Sequence, residues 1–162
     1  MTTTSTAGPR RRAREIALQV LHAMDVSPEQ TADEALRRTF EHLLDEGRMD
    51  DEGEGDVERP DPRFDRPLVE AVVRGYADKR AAIDEALAGL SRNWRVERIA
   101  VVERNIIRLA LWELLYGGEP PVPPSVVLNE AIELCKRYGT AEGAAFVNGL
   151  LDRALAELPV RR

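Results

Sequence analysis

Apolar residues recur every three or four positions along most of this chain, and this spacing limits its possible folds more than any other feature. Such spacing gives an α-helix one apolar face, whereas a half-buried strand requires strict alternation, and no convincing alternating strand is present. Six or seven helices joined mostly by short turns fit within the 162 residues. The sequence therefore predicts an all-α bundle, formed by one domain or by two small subdomains that share a core.

The predicted helices are bounded by residues that commonly begin or end helices. The first two are separated by the turn SPEQ, where Ser27 is a suitable N-terminal cap. Ser125 is predicted to cap the helix that follows the connector EPPVPPS, and Gly139 to end it. A change in spacing near Asp78 predicts an adjustment within the third helix. The predicted ranges are about 11–24, 27–44, 67–90, 99–114, 126–138 and 141–158.

The negative charge of the chain is concentrated in one segment. The net charge is -6, but residues 45–58 hold eight acids and one base, so the rest carries 22 bases and 21 acids. Residues 45–66 offer little apolar surface and are predicted to form a mobile acidic loop. Two interpretations remain open, an acidic partner-binding or decoy segment and a solvated insertion, and composition favours the second. The remaining surface is near neutral and can carry a basic patch.

The inventory of side chains argues against catalysis. Cys135 is the single cysteine, so no intramolecular disulfide can form, and its place on an apolar stripe favours a core thiol over a nucleophile. His22 and His42 have no metal-ligand spacing with each other or with Cys135. No phosphate-binding, dinucleotide-binding or serine-nucleophile motif is present. We therefore expect no enzymatic activity, no metal and no cofactor.

Neither a membrane span nor a secretory signal can be found. No apolar run approaches the roughly 20 residues that a membrane helix needs, and the polar start MTTTSTAGP lacks an apolar signal segment. We expect a cytoplasmic protein, with a disordered tail over residues 1–9 and a single folded domain over residues 10–158.

Four arginines begin the first helix, although the chain as a whole is acidic. On a helical wheel, Arg10 and Arg14 flank the apolar stripe, and four other residues lie on the face away from it. These are Arg11, Glu15, Leu18 and His22. Cations are unfavourable at a helix N-terminus, whereas arginine donates two hydrogen bonds to a phosphate and stacks on bases. The cluster predicts a nucleic-acid contact, with a tail that merely keeps the chain in solution as the alternative.

Three blocks of sequence, in this order, resemble the NusB transcription antitermination factor family. They are RRRAREIALQVL near the start, ERNIIRLALWELLY at the centre, and NEAIELCKRYG followed by FVNGLLD near the end. The resemblance covers the chain apart from residues 1–9, the acidic segment and the last few residues. It implies an all-helical fold of two packed helical subdomains, with no catalytic activity and no cofactor.

The resemblance also implies a function and a set of partners. Family members bind the boxA element of ribosomal RNA leader transcripts and pair with NusE, a small-subunit ribosomal protein. Together they act on elongating RNA polymerase and suppress termination in ribosomal RNA operons. Cations for the backbone and planar side chains for unstacked bases suit single-stranded RNA. We expect the same partners here, with a homodimer as a candidate state of the free protein.

Matching the family's motifs position by position assigns candidate site residues. The RNA-binding positions are Arg10, Arg11, Arg12, Arg14, Phe146, Asn148 and Gly149. The partner-binding positions are His22, Val26, Glu103 and Arg104. Phe146 is expected to serve mostly as core, and a close backbone approach would explain a mid-helix glycine at Gly149. Glu103 and Arg104 are expected mid-helix, where a charge reversal need not disturb the apolar stripe.

Three departures from the family pattern affect candidate RNA contacts. His22 stands where members often carry tyrosine, Ser125 replaces a usual lysine, and residues 143–145 lack the usual serine and basic residue before FVNG. A helical scaffold that binds only a protein partner is therefore the alternative function. The same fold also begins some ribosomal RNA cytosine methyltransferases, in which a catalytic domain would follow, whereas this sequence stops at Arg162.

Overall fold

Every regular element in the described part of the chain is helical. The structure is a computed structural model that describes residues 8–50, 63–92 and 95–162. Its α-helices are α1 (Pro9–Val26), α2 (Ala32–Asp50), α3 (Arg66–Leu90), α4 (Val101–Leu115), α5 (Pro124–Tyr138) and α6 (Ala141–Glu157), with a 3-10 turn at Val96–Arg98 before α4. The predicted all-α fold is thus confirmed. None of the described helices is long and apolar enough to cross a membrane.

The chain divides into two compact units, Met1–Val73 and Arg74–Arg162. In the first, α1 packs against α2, and Phe64, just before α3, stacks on Phe40 of α2 with 6.1 Å between ring centroids. In the second, α4, α5 and α6 pack against one another. α4 is buried along almost its whole length, from Asn105 to Leu114, which agrees with its strongly apolar sequence.

The start of α1 differs from the predicted tail. The helix begins at Pro9, and proline suits the first helical position because its fixed φ is already helical and its missing N–H needs no partner there. Residue 9 therefore belongs to the helix. The rest of the predicted tail, residues 1–7, lies outside the described residues.

The second helix differs from its prediction at both ends. Ser27 does not cap it. Thr31 does, because its Oγ1 accepts the Glu34 N–H at 3.2 Å while the Glu34 carboxylate accepts the Thr31 N–H at 3.2 Å. The pattern TADE is that of a capping box, so this cap could have been predicted from the sequence.

The predicted loop over residues 45–66 begins later in the structure, and its far end agrees to within one residue. α2 continues to Asp50, and Arg66 is already the first residue of α3. Glutamate, arginine and methionine, which make up three of the six residues from Asp45 to Asp50, are good helix formers. The remainder of the predicted mobile segment, residues 51–62, lies outside the described residues.

The later helices follow the sequence closely, apart from one cap. α3 bends at Lys79, whose φ of -105° and ψ of 15° are not helical, which confirms the adjustment near Asp78. Gly139 ends α5 as predicted. Ser125 is not a cap, because α5 already begins at Pro124, again a proline in the first helical turn.

The carbonyl groups at the end of α4 bind an arginine from the C-terminus of the chain. The backbone N–H of Arg161 donates to the Leu114 carbonyl at 2.8 Å. Its guanidinium forms an ion pair with Glu119 and donates to three successive carbonyls. These belong to Tyr116 at 3.4 Å, Gly117 at 2.8 Å and Gly118 at 3.1 Å. A cation is favourable at a helix C-terminus, so Arg161 adds to the local C-cap at Tyr116, whose N–H donates to the Trp112 carbonyl.

Arg161→Ala is expected to lower the free energy of unfolding by about 1–3 kcal/mol, because it removes charge-assisted hydrogen bonds to the carbonyls that follow α4. Urea denaturation followed by circular dichroism measures the change. Arg162→Ala is the matched control, because that neighbouring side chain is exposed. Equal stabilities of the two variants would show that the carbonyls are satisfied by water.

Candidate nucleic-acid interface

The arginine cluster occupies the first turns of α1. Arg10 is exposed, and Arg11 and Arg12 are half-buried. No acidic residue stands in the first turn of this helix, and Gly8 provides no side-chain cap. Positive charge is therefore presented at a helix end that ordinarily favours negative charge.

The helical wheel was wrong about the opposite face of α1. Arg14 is 4% exposed, Glu15 2% and Leu18 7%, so the helix is buried nearly all round between Ala13 and Leu18. A wheel assumes one covered face, whereas α1 is buried on more than one side over these residues. Arg14, predicted to contact RNA, is consequently not a surface cation in this structure.

The end of α1 is open on the surface. His22 is exposed, as the wheel predicted, and Val26 is 68% exposed. Singly exposed apolar side chains are common on protein surfaces, so this exposure establishes accessibility alone. Both predicted partner positions in this unit are therefore accessible.

The FVNG block lies within α6, and its four residues differ in their exposure to solvent. Val147 is buried, Phe146 is half-buried, and Asn148 and Gly149 are exposed. A Cβ added to Gly149 would meet nothing within 4 Å. The close approach expected at Gly149 is therefore not made by the rest of the described chain, and the position is open to a partner.

Glu103 does not lie mid-helix on an exposed face. It stands in the first turn of α4, is 6% exposed, and contacts the region where α5 ends and α6 begins. A Cβ added to Gly143 would lie 2.1 Å from Glu103 Oε1, and one added to Gly139 would lie 3.0 Å from the same atom. The two glycines thus make room for a buried carboxylate, and the spacing GTAEG was the signal that sequence reasoning missed.

Arg104 is half-buried beside it and contacts the chain immediately before α4. Its Nη1 donates to the Val96 and Ile99 carbonyls, each at 3.4 Å. Arg104 therefore holds the 3-10 turn against the start of α4, whatever else it binds.

A buried polar network in α3 and α4 was also missed. Arg108 donates through Nε and Nη2 to the two carboxylate oxygens of Asp84 at 2.9 and 3.1 Å, and through Nη1 to Asn105 at 3.0 Å. Burial raises the pKa of nearby Tyr76 to about 12, although the positive charge of Arg108 opposes that shift. A lone arginine within the apolar run NIIRLALW was its only signal.

Cys135 has the environment of a core thiol, as predicted. It is fully buried, and burial, followed by the negative charge of Glu103, raises its pKa to about 12. A thiol that stays protonated at neutral pH is a poor nucleophile and a poor metal ligand. In the ranges that the structure describes, no three His, Cys, Asp or Glu side chains are grouped to hold a metal ion.

Every described element is a helix, and an arginine cluster stands at the start of the first, so the chain is of the all-helical class. The NusB family profile matches residues 11–156. The chain therefore belongs to the NusB family, and it is a transcription antitermination factor, not an enzyme.

Individual relatives agree with this assignment over nearly the whole chain. The transcription antitermination protein NusB of Anaeromyxobacter dehalogenans is 44% identical over 153 residues, covering 94% of each chain. That of Geobacter sulfurreducens is 36% identical over 152 residues, covering 94% of this chain and 97% of the relative. Among solved structures, T. maritima NusB superposes with a TM-score of 0.72 at 30% identity, covering 92% of both chains.

Proposed function

We propose that this protein binds boxA-type single-stranded RNA of ribosomal RNA leaders together with NusE. The complex then acts on elongating RNA polymerase to suppress termination in ribosomal RNA operons. The observation that carries the proposal is the accessible arginine cluster at the start of α1, where Arg10 is exposed and Arg11 and Arg12 are half-exposed. Three cations on a helix turn with no acidic residue are suited to phosphate oxygens.

These arginines lower the stability of α1, because their charges repel the positive end of its dipole. Positive charge near a helix N-terminus is unfavourable by about 0.3–1 kcal/mol at exposed sites, and a bound phosphate offsets this cost because the arginines and the positive end of the helix dipole both attract it. The same turn therefore becomes favourable when an RNA backbone lies against it. This supports a ligand that is an anion.

α6, which belongs to the other compact unit, supplies a second candidate RNA surface. The exposed Asn148 amide can donate to and accept from a base edge, and the half-buried Phe146 keeps part of its ring available for stacking. The open space at Gly149 allows a sugar or base to approach the helix backbone.

For NusE we propose two candidate contact regions, one at the end of α1 and one at the start of α4. His22 and Val26 offer an aromatic and an apolar contact at the end of α1. At the start of α4, Arg104 and the 36% exposed Val101 provide the accessible groups, while Glu103 shapes that surface from within.

A double change tests the arginines. Arg10→Ala with Arg11→Ala is expected to weaken binding to a boxA-type RNA oligonucleotide and to flatten the plot of log K against log salt by about 1 to 1.5 units. Each phosphate contact on a single strand contributes about 0.7 to that slope because binding releases counterions. Fluorescence anisotropy titrations at several salt concentrations, with and without NusE, measure both quantities.

Arg37→Ala with Arg38→Ala is the matched control, because both of those arginines are exposed on α2 and removing them changes the net charge equally. Equal losses in the two double variants would mean that only net charge matters. NusE binding without salt-dependent RNA binding by the unmodified protein would favour the helical scaffold instead.

A further inference from the structure

Glu15 is a buried carboxylate that is paired with one of the candidate RNA-binding arginines. Its side chain is 3% exposed, that of Arg12 is 35% exposed, and Arg12 Nη1 lies 3.0 Å from Glu15 Oε2. Burying a carboxylate is costly even when it is paired, and an apolar side chain of similar size often stabilises a fold as well or better. A charge at this position therefore calls for a role beyond packing.

The geometry of the pair leaves Arg12 able to act on a ligand. A guanidinium has five N–H donors in a planar fork, and Glu15 occupies one of its edges. The carboxylate is held in place by the residues that bury it, whereas about a third of the arginine side chain is exposed to solvent. The ion pair thus restricts the orientation of the guanidinium without hiding it.

We propose that Glu15 is a positioning residue that holds Arg12 in an orientation ready for the RNA before the RNA arrives. This inference rests on the proposed RNA-binding function. Ordering a long side chain during association normally lowers affinity by about two- to tenfold, and an arginine that is already ordered avoids that loss. Arg10, by contrast, is exposed, and no ion pair of its side chain is seen among the described residues.

A positioning role of Glu15 and a purely electrostatic role predict opposite changes in RNA affinity for Glu15→Gln. The change removes a negative charge beside the arginine cluster, so electrostatics alone predicts tighter RNA binding. Positioning predicts weaker binding to boxA-type RNA, by about three- to tenfold, because the neutral amide holds the guanidinium less firmly. Glu15→Asp retains the charge but withdraws the carboxylate by one methylene, so only positioning predicts a loss for it.

The experiment titrates the full chain with a boxA-type RNA oligonucleotide and with an oligouridylate of equal length, and circular dichroism checks the fold. Glu29→Gln, an exposed site beyond α1, is the control for the charge change. Positioning is supported if both Glu15 variants bind boxA-type RNA more weakly, oligouridylate is less affected, and Glu15→Gln causes no loss in an Arg12→Ala background. It is overturned if both variants bind boxA-type RNA at least as tightly as the unmodified protein.

Three further outcomes remain interpretable. If the Glu15 variants do not fold, Arg12→Lys tests the pair from its other side, because lysine keeps the charge and salt slope but lacks the planar fork; unchanged affinity then overturns the inference. If the unmodified protein shows no salt-dependent binding to either RNA, the proposed function itself fails, and this inference fails with it. If the protein binds RNA and Arg10→Ala with Arg11→Ala weakens it, while the Glu15 variants do not, only the positioning role is lost.

Discussion

Gly75→Ala is expected to lower the free energy of unfolding by about 3 kcal/mol, near the upper end of what overpacking usually costs. Gly75 lies in α3 against the indole of Trp112 in α4, and a Cβ at this position would stand 2.1 Å from Trp112 Nε1 and 2.3 Å from Cε2. The ring is rigid and only 8% exposed, so it cannot turn aside without moving its neighbours.

Gly89→Ala in the same helix is the matched control. A Cβ at Gly89 meets nothing within 4 Å, so this change should stabilise the protein by up to about 1 kcal/mol, the difference in helix propensity. Urea denaturation of the two variants gives opposite signs if the close packing at Gly75 is real. A stability of Gly75→Ala within 0.5 kcal/mol or so of the unmodified protein would instead show that the indole can be displaced easily.

Glu103→Lys is expected to destabilise the protein by about 3–5 kcal/mol, the range found when a buried charge loses its compensation. The carboxylate is 6% exposed and lies against Gly143, the third residue of α6. A negative charge there is favourable for the N-terminus of α6, and an ammonium would be repelled by it. Lysine is also longer than the space beside the two glycines.

Glu142→Lys separates the charge effect from the packing effect. Glu142 is exposed in the same first turn of α6, so its reversal should cost less than about 1 kcal/mol. Thermal and urea denaturation of both variants measure the difference, and NusE binding is tested only where the fold is intact. A Glu103→Lys protein of normal stability that no longer binds NusE would restore Glu103 as a direct partner contact.

The helices themselves could be predicted because their signals are local. Apolar residues three and four apart placed α1 and α4–α6 within a few residues of their observed bounds, and Gly139 marked the end of α5. The errors were also local in kind. Thr31 caps α2 in preference to Ser27 because Glu34 completes the capping box. α2 also extends to Asp50, into the acidic segment that was predicted to be a mobile loop.

By itself the sequence determined the helical class, the order of the helices, the buried character of α4 and Cys135, and the position of the accessible arginines at the start of α1. Only the tertiary structure decided which charged residues are buried. Glu15 and Arg14 are covered because α1 packs on more than one face, which a wheel for a single helix cannot represent. Glu103 is covered because Gly139 and Gly143, which lie far from it in sequence, pack against it. Burial of a charge depends on residues distant in sequence, whereas helix formation depends mainly on neighbours.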